Sequence, residues 1–363
     1  MLRSELDHLN AQHHFSAAQI SQALSLTGNR PDANAWRQFA ITLLRAAGIG
    51  GIGAGIIFFV AANWQDYGVM GRFLLLQIGI AAMVAIALWK PPHAETEKYA
   101  LGAPALLLAT LLTGGLLALF GQTYQTGADV YELFFLWALL TLPFAVAAMS
   151  GALWALWWVV LNIALMLYCG WSGPTDNAWA LFDRMGFNKA TALMLPFAVN
   201  LGGATVAYAL ADRASESEWF ARLANAAPIW FARMLLAFAF VFGVSACVFV
   251  IFPQMSFFSS GNKMAMNTGV LLVFFFACVG VVVLALKQKR DVFPLAVIAG
   301  SFVVISTTFI TKVIKNPEIG TMFVIAAWLI ATSTAAAFVL MHYVRAWRAQ
   351  PGTDAKPQPG TSA

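Results

Sequence analysis

Ten apolar runs, none containing an aspartate or glutamate, follow one another through this sequence at residues 46–62, 73–89, 100–120, 133–149, 152–171, 190–211, 234–252, 269–286, 292–310 and 319–341. Most approach the roughly 20 residues needed to cross about 30 Å of hydrocarbon at 1.5 Å per residue. The expected fold is therefore all-α, a polytopic transmembrane bundle of about ten helices. Composition agrees, since 60% of the 363 residues are hydrophobic and only 10% charged, whereas soluble domains carry about a quarter charged residues. The tightest junction is between the fourth and fifth runs, where Ser150-Gly151 must turn the chain at once. Losing that turn would reverse every later segment.

Charge then orients the bundle. With the amino terminus inside, the inward segments hold fifteen Lys/Arg: four in the head through Arg45, Lys90 and Lys98, three from Arg213 to Arg233, three from Lys287 to Arg290, and three from Arg345 onward. The outward loops hold six, at Arg72, Arg184, Lys189, Lys263, Lys312 and Lys315. Short cytoplasmic loops collect basic residues, so this asymmetry implies both termini in the cytoplasm and an even number of spans. No basic run exceeds the Lys287, Lys289, Arg290 group, which speaks against nucleic-acid binding. The partner this composition implies is the lipid bilayer.

Residues 1–40 form a polar head in which Leu2, Leu6 and Leu9 recur at helical spacing and Ser16-Ala-Ala-Gln19 makes a capping-box pattern. An amphipathic helical head on the cytoplasmic face is expected, with no cleaved signal peptide. His8, His13 and His14 lack a carboxylate at matching spacing, so no metal site is assigned there. Cys169, Cys247 and Cys278 sit in apolar runs without a C-x-x-C pair and imply neither a disulfide framework nor zinc. Residues 41–150 and 151–345 are read as the first and the remaining membrane segments. Residues 346–363, rich in Pro, Gly and small polar groups, are expected to be disordered.

The first span contains Gly48, Gly51 and Gly55, a small-residue face suited to close helix packing. Its G-x-G-x-x-G at Gly48, Gly50 and Gly53 lies inside an apolar helix, not between a strand and a soluble helix, so it is no dinucleotide fingerprint and no cofactor is assigned. The span ends in Asn63-Trp64-Gln65-Asp66-Tyr67, where Asn63 can bond orphan carbonyls and Trp64 and Tyr67 suit the headgroup region.

The densest polar cluster between spans is on the same side, after the third span: Gln122, Tyr124, Gln125, Thr126, Asp129, Tyr131 and Glu132. Gly121 reads as a helix stop, and Asp129-Val-Tyr-Glu132 as a cap that sets negative charge at the amino end of the fourth helix. Gln122, Tyr124, Gln125 and Thr126 remain as hydrogen-bonding groups beside an apolar bundle. Amides and aromatic faces together suit a polyol, sugar or lipid headgroup. Asn63, Trp64, Asp66, Gln122, Tyr124, Gln125, Thr126, Asp129 and Glu132 are thus the candidate binding residues. No catalytic residue is assigned.

Within the spans, Gln77, Asn162, Asn200 and Ser306-Thr307-Thr308 are expected to bond across to neighbouring helices, and Pro143 and Pro196 to kink their own. No ionisable group lies near a span's middle, which argues against a proton-coupled pump. The two halves contain no internal sequence copy.

The motifs Ala62-Asn63-Trp64, then Leu119-Phe120-Gly121-Gln122-Thr123-Tyr124-Gln125-Thr126-Gly127-Ala128-Asp129, then Leu133-Phe134-Phe135-Leu136-Trp137 resemble the bacterial membrane protein family called domain of unknown function 2157, over about residues 1–150. The resemblance implies an integral bacterial membrane protein of the inner membrane and brings no activity with it. Three readings stay open: binding or transport of an uncharged or amphiphilic solute or lipid at the outward cluster; an enzyme on lipid-linked or sugar substrates using Asp66, Asp129 or Glu132; or a scaffold or sensor subunit engaging another membrane protein.

Overall fold

The structure is a computed structural model, and it describes residues 16, 19, 22, 33–63, 67–90, 101–124, 129–169, 188–252, 264–286, 291–314 and 319–349. Among them every regular element is a helix: α1 Ala33–Ala62, α2 Val69–Trp89, α3 Gly102–Tyr124, α4 Val130–Ala148, α5 Gly151–Tyr168, α6 Lys189–Ala192, α7 Met194–Arg213, α8 Glu218–Ala226, α9 Ile229–Ile251, α10 Met264–Leu284, α11 Val292–Val313 and α12 Ile319–Ala349. Ten stretches are long and apolar enough to cross a membrane, with α6 and α7 together forming the sixth. The protein is an all-α polytopic membrane bundle.

Two helices organise the packing. In the first half α3 is the most buried, with α1, α2 and α4 against it. Its Leu108, Leu112 and Leu119 close with Leu76 of α2 into one apolar cluster. In the second half α9 plays that part against α7, α11 and α10, around Leu235, Ala239, Phe240 and Phe274. With no water to drive helices together in lipid, such contact rests on close van der Waals packing and interhelical hydrogen bonds.

The α4–α5 junction is as tight as expected, but it falls one residue early. Met149 takes the left-handed conformation (φ 42°, ψ 42°), and Ser150 is the extended N-cap of α5. Gly151 is already helical, and its missing side chain serves packing instead: a Cβ there would lie 2.8 Å from Pro228 Cδ. The chain thus uses a methionine where a left-handed residue is wanted and its glycine where a neighbour presses in.

The expected kinks differ. Pro143 is passed within an unbroken α4. Pro196 acts near the start of the sixth span, where the chain is interrupted at Leu193 between α6 and α7. A proline has no N–H to bond the carbonyl four residues back, here Ala192. The Cys169 thiol donates to that carbonyl oxygen instead, at 3.3 Å.

Asn162 and Asn200 bond across α5 and α7 as expected. Asn200 Nδ2 donates to Asn162 Oδ1 (2.6 Å), and Asn162 Nδ2 returns to Asn200 Oδ1 (3.1 Å), which also accepts from Trp158 Nε1 (2.8 Å). The remaining amide protons go to Pro196 O and Trp158 O. Of the 306–308 group, Ser306 accepts from Trp328 Nε1 of α12, while Thr307 and Thr308 bond back within α11.

The glycine face of α1 behaves otherwise than expected. Gly53 meets α3, a Cβ there lying 3.1 Å from Leu108 Cδ1, whereas the Cβ positions of Gly48, Gly51 and Gly55 look into open space among the described residues. The helix turns a different side inward, because Gly53 is two residues out of step with the Gly51/Gly55 stripe. In the head, Ser16 and Gln19 make the reciprocal capping-box bonds. Residues 33–40 of the head form the first turns of α1, and residues 1–15, 17–18, 20–21 and 23–32, including the histidines, and 350–363 lie outside the described residues.

Candidate functional site

The polar cluster expected to face outward falls between α3 and α4, and a tryptophan fixes these two helices together. Gly114 of α3 has no side chain, so the Trp137 indole of α4 lies directly on the α3 backbone. From there Nε1 donates to Thr110 O at 2.8 Å. One turn along, Trp157 of α5 makes the equivalent bond to Ala138 O of α4 at 2.7 Å. Buried indole N–H groups need partners, and these two take theirs from backbone carbonyls bared by small residues.

Above this clasp, α3 does not stop at Gly121. It continues through Gln122 and Thr123 to Tyr124, because an isolated glycine is tolerated inside a helix whose neighbours hold it. Thr123 Oγ1 bonds back to Leu119 O. Gln122 and Tyr124 are exposed. The Tyr124 ring stands 4.9 Å from Phe120 and 5.9 Å from Phe73 of α2, centroid to centroid.

That aromatic group closes the upper end of a groove between α2 and α3, of about 550 Å³, lined by Val69, Met70, Phe73, Gln77, Leu116, Leu117, Phe120 and Tyr124. Its walls are apolar apart from the amide of Gln77 and the phenol of Tyr124. Gln77 is exposed and faces this groove, not a bonded neighbour of the kind Asn162 finds.

Asp129 is the extended N-cap of α4, yet its carboxylate makes no capping bond. Its charge beside the helix amino end remains. Glu132 is exposed, and its Oε1 accepts from Tyr131 OH at 3.4 Å. Tyr131 also stands 5.2 Å from Tyr168 at the end of α5, which places the ends of α3 and α5 at the same end of the bundle. At the α1 end, Asn63 Nδ2 donates to Phe59 O at 2.8 Å, but that carbonyl already accepts Asn63 N at 3.1 Å, so the side chain doubles a helical bond where an orphan carbonyl was expected. Trp64, Asp66, Gln125 and Thr126 lie outside the described residues; among the described ones Tyr124 shares the groove with Gln77 and Phe73, Gln122 precedes Tyr124 in the last turn of α3, Asp129 and Glu132 stand at the start of α4, and Asn63 stands at the end of α1.

A second polar constellation, at the opposite end of the bundle, was not anticipated from the sequence. Asp291, the N-cap of α11, accepts from Phe293 N, from Arg233 of α9 through Nε (3.2 Å) and Nη2 (3.1 Å), and from Tyr208 OH of α7 (3.3 Å). Three helices meet in that bond set. The visible signal was an acid and a base each standing at the first turn of an apolar run, which fits any loop until the runs are known to be neighbours.

A family described as predicted membrane protein (DUF2157) has a model that matches residues 7–154, whereas neither a curated protein nor a solved structure matches the chain. The matched residues span α1 to α4 and the first turn of α5, taking in Asn63, the Gly114–Trp137 clasp and the Tyr124 hairpin. Over residues 7–154, therefore, this chain carries the pattern of the predicted membrane proteins of DUF2157, on the same stretch that builds the groove.

Proposed function

We propose that this protein is a bacterial inner-membrane protein, both termini cytoplasmic, that binds an amphiphile through its outward-facing end. The supporting observation is the groove between α2 and α3, whose apolar floor carries Tyr124 at its hairpin end and Gln77 one turn deeper than Phe73. An alkyl chain fits such a floor, and a headgroup bearing hydroxyls fits the exposed Tyr124 and Gln122. Sites for such ligands are mostly apolar with a few placed polar groups. A transport route is less well supported, because Asn162 has both amide protons and its carbonyl engaged within the bundle. The experiment is lipid and metabolite analysis of the purified protein beside Tyr124→Ala and Gln77→Leu. A co-purifying amphiphile lost from both variants supports the reading, and an unchanged profile overturns it.

The scaffold reading has its own observation. Among the described residues nothing covers the side of α1 bearing Gly48, Gly51 and Gly55, and α12 packs chiefly on α11. A partner membrane helix would suit the α1 side. Stable co-purification of one defined membrane protein that survives Gln122→Ala and Tyr124→Ala but is lost in Gly51→Leu would favour it.

A further inference from the structure

The second half of the bundle contains a well at the end remote from Tyr124. About 220 Å³ in size, it opens among the last turns of α7 and α10 and the first turns of α9 and α11. Four helices build it in the same layered way. On α7 the depth is apolar, at Leu201 and Ala204, and the mouth is polar, at Tyr208 and Asp212. On α9 Leu236 lines the well, and Arg233 stands one turn nearer the mouth on the same face. On α11 Pro294 lines the well, and Asp291 is the residue that caps the helix. On α10 Val281 and Leu284 complete the wall; this helix packs on α9 and α11, and its gap from α7 is the well itself.

Tyr208 joins the two layers. Its side chain lines the well while its hydroxyl donates to Asp291, which holds Arg233 by two bonds. A guanidinium has five N–H donors, so two bonds to Asp291 leave others for a second anion, and the Arg233 side chain is 41% exposed. In sequence, the stretches 212–233 and 287–291 carry Arg213, Arg222, Arg233, Lys287, Lys289 and Arg290 against Asp212, Glu216, Glu218 and Asp291. That surplus is positive and attracts acidic headgroups.

We propose that this well holds an acyl chain of an anionic phospholipid from the leaflet on the Arg233 side, with the lipid phosphate at Arg233 beside Tyr208. The apolar depth takes the chain and excludes soluble anions. The rim supplies a planar, bidentate donor of the kind that matches phosphate. The site is distinct in leaflet and in helices from the α2–α3 groove and does not depend on it.

The test is native mass spectrometry of the delipidated full-length protein titrated with phosphatidylglycerol or with phosphatidylcholine of the same chains. Wild type is expected to take phosphatidylglycerol about fivefold more tightly, the contribution of roughly one basic side chain near a charged lipid. Thr205→Trp, placed at an exposed lining position so that the core need not repack, should block both lipids. Arg233→Gln should remove the preference, and Arg233→Lys should restore part of it. Equal binding of the two lipids by wild type, or Thr205→Trp binding phosphatidylglycerol as wild type does, would overturn the proposal. Should Arg233→Gln fail to fold, Thr205→Trp decides alone.

Discussion

Trp137 rests on the bare backbone of Gly114, so the two ends of the stretch that holds the polar hairpin are pressed together. The indole and the missing side chain depend on each other. Gly114→Ala would place a methyl inside the ring's contact distance and push Trp137 off its bond to Thr110 O. Thermal unfolding in detergent should show a clear loss for Gly114→Ala and for Trp137→Leu, and less than their sum in the double variant, since neighbours in contact are not additive.

The asparagine pair should behave likewise but through hydrogen bonds. Asn162→Leu leaves Asn200 buried without its main partner, and an unsatisfied buried amide costs about 1–3 kcal/mol. Asn200→Leu orphans the Asn162 amide and also the Trp158 indole, which loses its acceptor, whereas replacing both asparagines by Leu leaves the indole alone unsatisfied. Asn200→Leu is therefore expected to melt below the double variant in the same assay; a double variant that melts lower still would contradict the paired bonding of the two amides.

At the break in the sixth span, Cys169→Ser keeps a donor for Ala192 O and Cys169→Ala does not. The serine variant should melt near wild type and the alanine variant lower. In a Pro196→Ala background, where residue 196 regains an N–H for that carbonyl, the difference between them should shrink. A difference that persists would mean the thiol acts through packing alone.

The α4–α5 turn separates two roles of glycine. Left-handed backbone costs a non-glycine residue roughly 1–2 kcal/mol, so Met149→Gly is expected to be tolerated or slightly stabilising. Gly151→Ala, meeting Pro228 at 2.8 Å, should destabilise. The opposite order in a melting series would relocate the turn to Ser150-Gly151.

Sidedness has a direct test. In a background without native cysteines, Tyr124→Cys in whole cells should react with a membrane-impermeant maleimide from the outer face, and Arg213→Cys only after the cells are opened. Both positions are exposed, so access alone decides the result. Labelling of Arg213→Cys in intact cells would invert the orientation.

The span count was legible because hydrocarbon demands long apolar runs wherever a chain crosses, and all ten runs recur as helices, although the first helix begins well before its run, at Ala33, and the last continues past its run to Ala349. Cap chemistry was legible at Ser16–Gln19, where donor and acceptor are local in sequence. The side of α1 that faces α3 was not, since both Gly53 and the Gly51/Gly55 stripe satisfy a small-residue pattern and only the neighbour's leucines choose between them. Helix α8 went unread because its nine residues include Glu218 and Arg222 and make no apolar run. The Tyr208–Arg233–Asp291 set joins residues as far as 83 positions apart, a separation at which local pattern carries no information. The α2–α3 groove was half visible: Tyr124 stood out, but its pairing with Gln77 and Phe73 needed the helices side by side.

The reversal at Met149 and Ser150 leaves no slack between two crossings. Without it, α4 and α5 would merge into one oversized rod, nine passages would remain, and the two ends of the polypeptide would part company across the bilayer. Fluorescent tags fused to either extremity should therefore report one compartment in the native chain, and a single lesion at this hinge is where they would first disagree.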